Sequence, residues 1–202
     1  MDIKRDKYLN DLINRMHNGM IKVITGIRRC GKSYLIFDIF KKYLVEQGVN
    51  DQHIISIELD KRKDKKYRDP DVILDYIESC VVDEDTYYIL LDEVQLLEDF
   101  EEVLNSLLHI KNTDVYVTGS NSKFLSKDVI TEFRGRGDEI HIYPLTFKEF
   151  MQVYEGDVYH GWAEYVIYGG ELITAKKKLT HEELADRILA DYGMTSTANG
   201  AS

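Results

Sequence analysis

The sequence predicts an α/β fold: a parallel five-stranded sheet with helices on both faces, ending in a short C-terminal helical extension. Three observations predict it. Short β-rich runs alternate with amphipathic stretches as far as Pro144. The first compact apolar run, residues 20–25, ends on a glycine-containing loop that opens a helix. A later apolar run, residues 87–91, delivers two adjacent carboxylates, Asp92 and Glu93.

The elements follow in order. Residues 3–18 set Leu9, Leu12, Ile13 and Met16 at helical spacing. Residues 20–25 read as a buried strand. Residues 32–47 carry Leu35, Ile36, Ile39, Phe40 and Leu44 on one stripe, with Gly48 as the stop. Residues 53–59 form a second strand, a charged stretch covers 60–69, and Pro70 starts a helix that runs to about residue 82. The third strand is 87–91, the next helix 99–111, and the fourth strand 115–118. A helix over 121–133 and a fifth strand over 139–143 complete the alternation. Residues 1–144 thus predict the core, 145–192 a partial helical lid or extension, and the small polar residues 193–202 a disordered tail.

Composition narrows the function classes. With 202 residues, 44% of them hydrophobic, the chain has the material for a core. A formal charge of −10 argues against gripping nucleic acid with the whole surface, while leaving room for a local basic patch. There are two cysteines, Cys30 and Cys80, and no disulfide is expected. No apolar run approaches the roughly 20 residues of a membrane span. The expected setting is the cytoplasm, with no membrane partner.

The chemistry is concentrated in three strand ends and one turn. Gly26-Ile27-Arg28-Arg29-Cys30-Gly31-Lys32-Ser33 matches G-x-x-x-x-G-K-[ST] without a gap. Glycines let the backbone curl so that N–H groups converge on phosphates. Lys32 reaches the β- and γ-phosphates, the Ser33 hydroxyl binds Mg²⁺, and the following helix turns its positive end to the same anion. ATP with Mg²⁺ is the expected ligand. Asp92 fits the metal's coordination sphere and Glu93 the group that orients and deprotonates an attacking water. Glu93 thereby favours hydrolysis over a small-molecule kinase. The fourth strand ends in Thr118-Gly119-Ser120-Asn121-Ser122, where Asn121, with Thr118 and Ser120 behind it, is placed to sense the γ-phosphate; capping the next helix is the competing use. Arg136, between Gly135 and Gly137 and preferred over Arg134, suits a contact to a neighbouring subunit's nucleotide; the competing use is an exposed turn.

Other features carry less. The basic run from Lys61 to Arg68 is interleaved with Asp64 and flanked by Asp60 and Asp69, which favours a solvated loop over a nucleic-acid patch. The six histidines show no ligand spacing, so no zinc site is expected. Cys30, beside Arg29 and a helix start, has the setting of an oxidisable thiol, but reads better as a tolerated loop residue. Tyr87, Tyr88 and Tyr116 fall on strands and are expected to pack.

Together the runs VITGIRRCGKS at 23–33, LLDEVQ at 90–95, TGSNS at 118–122 and YPLTFKEF at 143–150 resemble the prokaryotic AAA+-type ATPases known simply as ATP-binding proteins. These are similar to the archaeal ATPases of the STAND lineage. The resemblance covers residues 1–170 and implies a P-loop NTPase core of the additional-strand type with strand order 5-1-4-3-2. It also implies sensor-like use of Asn121 and an arginine-finger-like role for Arg136 across a homo-oligomer. Glu171 follows Gly169-Gly170 where the family continues with leucine-proline, so residues 171–202 depart from its pattern. The expected function is an ATPase whose hydrolysis drives a conformational switch or an assembly. The alternative is a nucleotide-gated module for a protein or DNA partner.

Overall fold

The computed structural model describes residues 3–119 and 135–168. They form two units. Residues 4–143 make the larger one, and Pro144 onward, with the first residues of the chain, make the smaller.

The larger unit holds five parallel strands, β1 (Ile21–Thr25), β2 (Ile54–Glu58), β3 (Tyr87–Asp92), β4 (Thr113–Thr118) and β5 (Gly137–His141), in the order β2-β3-β4-β1-β5. The expected order is therefore the one observed. β1 lies between β4 and β5, with Lys22 opposite Tyr116 and Thr25 opposite His141. Every residue of β1 and β3 is buried, as befits strands covered on both faces.

Alternation along the strands sorts the core into two layers. Val23, Ile57, Ile89, Leu91 and Val117 face helices α4 (Pro70–Cys80) and α5 (Phe100–Leu107), packing on Ile73, Ile77, Val103 and Leu104. Ile24, Ile54, Leu90, Tyr116 and Ile140 face α1 (Asp6–Ile13) and the helix that follows β1. Each fully buried aliphatic side chain contributes roughly 1.5–3 kcal/mol, so both layers are needed to hold the sheet.

The helix after β1 is continuous but not uniform. It starts as α2 (Lys32–Tyr34), widens to π-type turns over Leu35–Phe40, and returns to α geometry as α3 (Lys41–Glu46). The wide turns still bury Leu35, Ile36 and Phe40. Gly48 follows at φ +89°, the left-handed geometry that ends a helix.

Several expected boundaries shift for local reasons. The N-terminal helix stops at Ile13 rather than residue 18, and left-handed backbone at His17 (φ +59°) and Gly19 (φ +73°) precedes the turn into β1. The charged stretch after β2 is folded into tight 3-10 turns over Arg62–Arg68. Tyr67 is buried there, and Arg68 Nε donates to the Leu59 carbonyl at 2.8 Å. Asp69 caps α4 by accepting from the N–H groups of Asp71 and Val72. The expected helix over 121–133, the residues Ser120, Asn121 and Arg134, and the expected tail over 193–202 lie outside the described residues.

The smaller unit contains α6 (Phe147–Phe150) and α7 (Val158–Tyr168). Thr146 and Glu149 close a reciprocal cap on α6: the Glu149 N–H donates to Thr146 Oγ1 at 3.3 Å, and the Thr146 N–H donates to Glu149 Oε2 at 2.7 Å. Phe147 meets the Trp162 ring edge-on at 5.1 Å, and Tyr165 Oη donates to the Leu145 carbonyl at 2.8 Å.

One strand residue breaks the apolar pattern. Lys22 is fully buried and ion-paired with the buried Asp114, whose carboxylate also accepts from Tyr116 Oη at 2.8 Å and the His17 N–H at 3.1 Å. Burial lowers the Lys22 pKa and Asp114 opposes that shift. Burial, then Asp114, push the Tyr116 phenol up. Removing one partner of such a pair strands the other. Lys22→Ala is expected to lose about 3–5 kcal/mol of stability in chemical denaturation, and Lys22→Met with Asp114→Leu to recover most of it.

Candidate nucleotide site at the C-terminal edge of the sheet

Parallel strands deliver their C-terminal ends to one edge, and ligands of open α/β sheets bind there. β1, β2, β3 and β4 bring Gly26, Glu58, Asp92 and Thr118 to that edge.

The loop after β1 turns through left-handed backbone at Arg29 (φ +66°) and Gly31 (φ +96°), separated by Cys30. Alternation of this kind makes a concavity of N–H groups suited to an anion. Gly26 is sterically required: a Cβ there would stand 2.3 Å from the Ile142 carbonyl oxygen and 2.8 Å from Cys30 Sγ. Cys30 is itself buried, and burial pushes its thiol pKa up against the pull of Lys32 and Arg5. It is a packing residue against Gly26, which corrects both the oxidisable and the merely tolerated expectation. Ile27 and Arg28 are exposed, and Lys32 is buried. Lys32 Nζ donates to the carbonyls of Gly26 at 2.9 Å and Ile27 at 3.0 Å.

Asp92 is where the elements meet. Its Oδ1 accepts the Ser33 hydroxyl at 3.0 Å and also the Thr118 hydroxyl. Thr118 Oγ1 in turn accepts the Glu93 N–H at 3.1 Å. Glu93 occupies left-handed backbone at φ +53°, an uncommon conformation for a non-glycine residue. It opens a 3-10 turn, Val94–Leu96, and its carboxylate accepts from Gln95 Nε2. Burial pushes the Asp92 carboxyl above the ordinary range, the Thr118 and Ser33 hydroxyls draw it back, and Glu93 and Asp60 push it up again.

The expected residues Gly26 through Ser33, Asp92 and Glu93 are thus brought together, and Thr118 joins them. Asn121 lies outside the described residues. Arg136 is not at this edge. It precedes β5, and its carbonyl accepts the N–H of Ile21 at the start of β1. Four further residues belong to the site or its support. Glu58 and Asp60 carry carboxylate oxygens that, with that of Asp92, all lie within 4.8 Å of one another. Gln95 touches Glu93, and Arg5 touches the loop from the protein interior. Glu58 and Asp60 become visible once β2 is known to neighbour β3, where Glu58 stands opposite Asp92. Gln95 lies two residues from Glu93 in sequence and could have been taken from the motif; Arg5 leaves no sequence signal.

The residues present suit a nucleotide with Mg²⁺. Left-handed backbone at Arg29 and Gly31 makes a concavity suited to phosphate, and the Ser33 hydroxyl facing the Asp92 carboxylate is a hard-oxygen pair of the kind Mg²⁺ takes. Among the described residues no helix is long and apolar enough to cross a membrane.

Sheet order, phosphate loop and the carboxylate pair after β3 define a P-loop protein of the AAA+ class, a nucleotide-binding, ATPase-like protein. A family model described as an AAA domain matches residues 18–151, and the chain belongs to that family. It is 36% identical over 174 residues to an uncharacterized protein of Haemophilus influenzae, a match covering 83% of this chain and 43% of the relative. It is 30% identical over 154 residues to an uncharacterized protein of Methanocaldococcus jannaschii, covering 74% and 32%. The chain therefore spans less than half the length of these curated relatives. Its fold is similar to that of a DNA polymerase III gamma subunit-related protein from Thermotoga maritima (TM-score 0.55, 11% identity, 84% of this chain and 55% of that one). It is also similar to the Aeropyrum pernix ORC1 protein in complex with DNA (TM-score 0.51, 13% identity, 81% and 50%).

The raised Asp92 pKa has a testable sign. A carboxyl whose folded pKa exceeds its unfolded value costs folding free energy when charged. That cost is present above the folded pKa and disappears as pH falls below the unfolded one. Asp92→Asn retains an acceptor for Ser33 and Thr118. It is expected to melt higher than the parent without nucleotide at neutral pH, with the gap closing in acid, and to lose Mg²⁺-dependent ATP binding. A lower melting temperature at neutral pH contradicts the assignment.

Proposed function

We propose that the chain binds ATP-Mg in the loop from Gly26 to Ser33 and hydrolyses it, with the cycle driving a conformational switch or an assembly. The observation that carries this is the network joining Ser33, Asp92, Thr118 and Glu93 at one sheet edge. Lys32 would exchange its two loop carbonyls for the β- and γ-phosphates. Ser33 and Asp92 would hold Mg²⁺, which when bound would neutralise charge on the phosphate oxygens. Glu93, one residue beyond, orients water and takes its proton. Thr118 links the Asp92 carboxylate to the backbone N–H of Glu93, so a shift of the first is felt by the backbone of the second; this gives Thr118 a sensing role beside the one expected of Asn121.

Arg136 acts in trans under this proposal. It lies one step before the Ile21–Gly137 pair while the phosphate loop follows Thr25, and at about 3.3 Å per residue β1 separates them by about 20 Å. Its Nη1 donates to Asn105 Oδ1 at 3.4 Å. Arg136 is exposed at the strand end opposite its own loop, a position that suits contact with a neighbouring subunit. The switch role is in keeping with the resemblance to STAND-lineage ATPases. A DNA-gated role draws on the DNA-bound ORC1 neighbour, but Lys61 and Lys63 are ion-paired with Glu58 at 3.7 and 3.9 Å, which weakens the basic run as a phosphate-binding patch.

Two measurements test the proposal. Glu93→Gln is expected to keep ATP affinity while losing about 100-fold or more in turnover, the usual worth of a general base. Unchanged turnover removes Glu93 from the mechanism. Arg136→Ala is also expected to be slow, yet mixing it with Glu93→Gln should restore part of the activity, because each supplies what the other lacks across a subunit boundary. Absence of recovery, with Arg136→Ala alone at full rate, rules out the trans contact.

A further inference from the structure

We propose that Arg5 is a positioning residue for nucleotide binding, holding the phosphate loop in its anion-receiving shape from the interior of the protein. The inference rests on the assignment of the loop from Gly26 to Ser33 to nucleotide phosphate.

Arg5 immediately precedes α1, and its side chain is 1% exposed. Nη1 donates to the carbonyl oxygen of Cys30 and Nη2 to that of Tyr143, both at 2.7 Å. The guanidinium lies 4.5 Å from the centroid of the Tyr8 ring. Tyr8 Oη accepts the N–H of Tyr143 at 3.2 Å, so both polar groups of the Tyr143 backbone are held by this one segment. The planar fork of a guanidinium reaches two carbonyls at once with little loss of freedom, which an ammonium does not match.

The grip on Cys30 sets the loop's polarity. A trans peptide is planar, and its C=O and N–H point in opposite directions. Drawing the Cys30 carbonyl toward Arg5 therefore turns the N–H of Gly31, in the same peptide, away from Arg5. Cys30 stands between the left-handed residues Arg29 and Gly31, so the orientation of this peptide decides whether the local N–H groups converge. The charge of Arg5 also reaches the loop, being one of the groups that oppose the upward shift of the Cys30 thiol. A buried guanidinium carries a desolvation cost that an apolar side chain would avoid. Orientation of a phosphate-binding peptide together with a positive field behind it is a return that no apolar residue supplies.

The test is ATP-Mg affinity by calorimetry on the full chain, with Lys32→Ala as reference. Arg5→Ala is expected to lose tenfold or more in ATP affinity. Guanidinium chloride, added far below denaturing concentration, should restore much of it by entering the vacated site, whereas neutral urea of similar shape should not. Arg5→Lys keeps the charge without the fork; it is expected to fold and to bind ATP several-fold more weakly, and it carries the test if Arg5→Ala does not fold. Unchanged affinity in either variant overturns the inference, as does equal rescue by urea and guanidinium, which marks a packing role alone. Failure of the parent chain to bind ATP, with Lys32→Ala indistinguishable from it, overturns the nucleotide assignment itself and this inference with it. Loss of binding in Lys32→Ala with normal binding in Arg5→Ala overturns only the role of Arg5.

Discussion

The site depends on a carboxylate placed where the protein resists holding charge. Asp92 ends a strand whose six residues are all buried, and burial alone pushes its pKa upward. Two hydroxyls, Ser33 from the phosphate loop and Thr118 from β4, share one of its oxygens. That shared oxygen ties three strand ends into one unit. The tie requires β1, β3 and β4 to be consecutive in space although they are not in sequence. A sheet order of β2-β3-β4-β1-β5 is what brings them together.

The opposite ends of the same strands solve the problem of buried charge differently. Lys22 and Asp114 neutralise each other, with Tyr116 and the His17 backbone taking up remaining polar capacity. That cluster contributes to register and stability and is complete in itself. The cluster around Asp92 and Glu93 rests instead on shared hydroxyls, and it keeps Glu93 in left-handed backbone. Left-handed backbone at Arg29 and Glu93 and the raised Asp92 pKa fall together at the end toward which the phosphate loop projects, the kind of combination that functional edges of a fold carry.

Much of this was legible in the residues. Apolar runs bounded by turn residues located all five strands to within a few positions, and the glycine motif found its strand-before, helix-after context. Asp92 and Glu93 were legible because a strand period and a carboxylate pair coincide. What was not legible depends on pairing across the chain. Lys22 sits inside an apolar run, and the charge that makes its burial tolerable comes from Asp114, 92 residues away. Arg5 has the composition of a surface residue and becomes a core residue through two carbonyls, at Cys30 and Tyr143. Glu58 and Asp60 needed the neighbour relation of β2 and β3. The wide turns over Leu35–Phe40 preserve the apolar stripe, so periodicity could not reveal them. Backbone sign at Glu93 and His17 likewise has no local signature, because neither is glycine.

The hydrogen bonds of Lys32 to the carbonyls of Gly26 and Ile27 have a consequence for timing. The ammonium has a ready substitute for phosphate inside its own loop, so the protein supplies an internal competitor for its ligand. Whatever those two carbonyls contribute weakens the hold on nucleotide by the same amount. On the proposed reading the same contacts re-form when nucleotide leaves, so no desolvated cation is left behind. Under the proposed reading, the lysine's own loop tempers the affinity for nucleotide and favours its release.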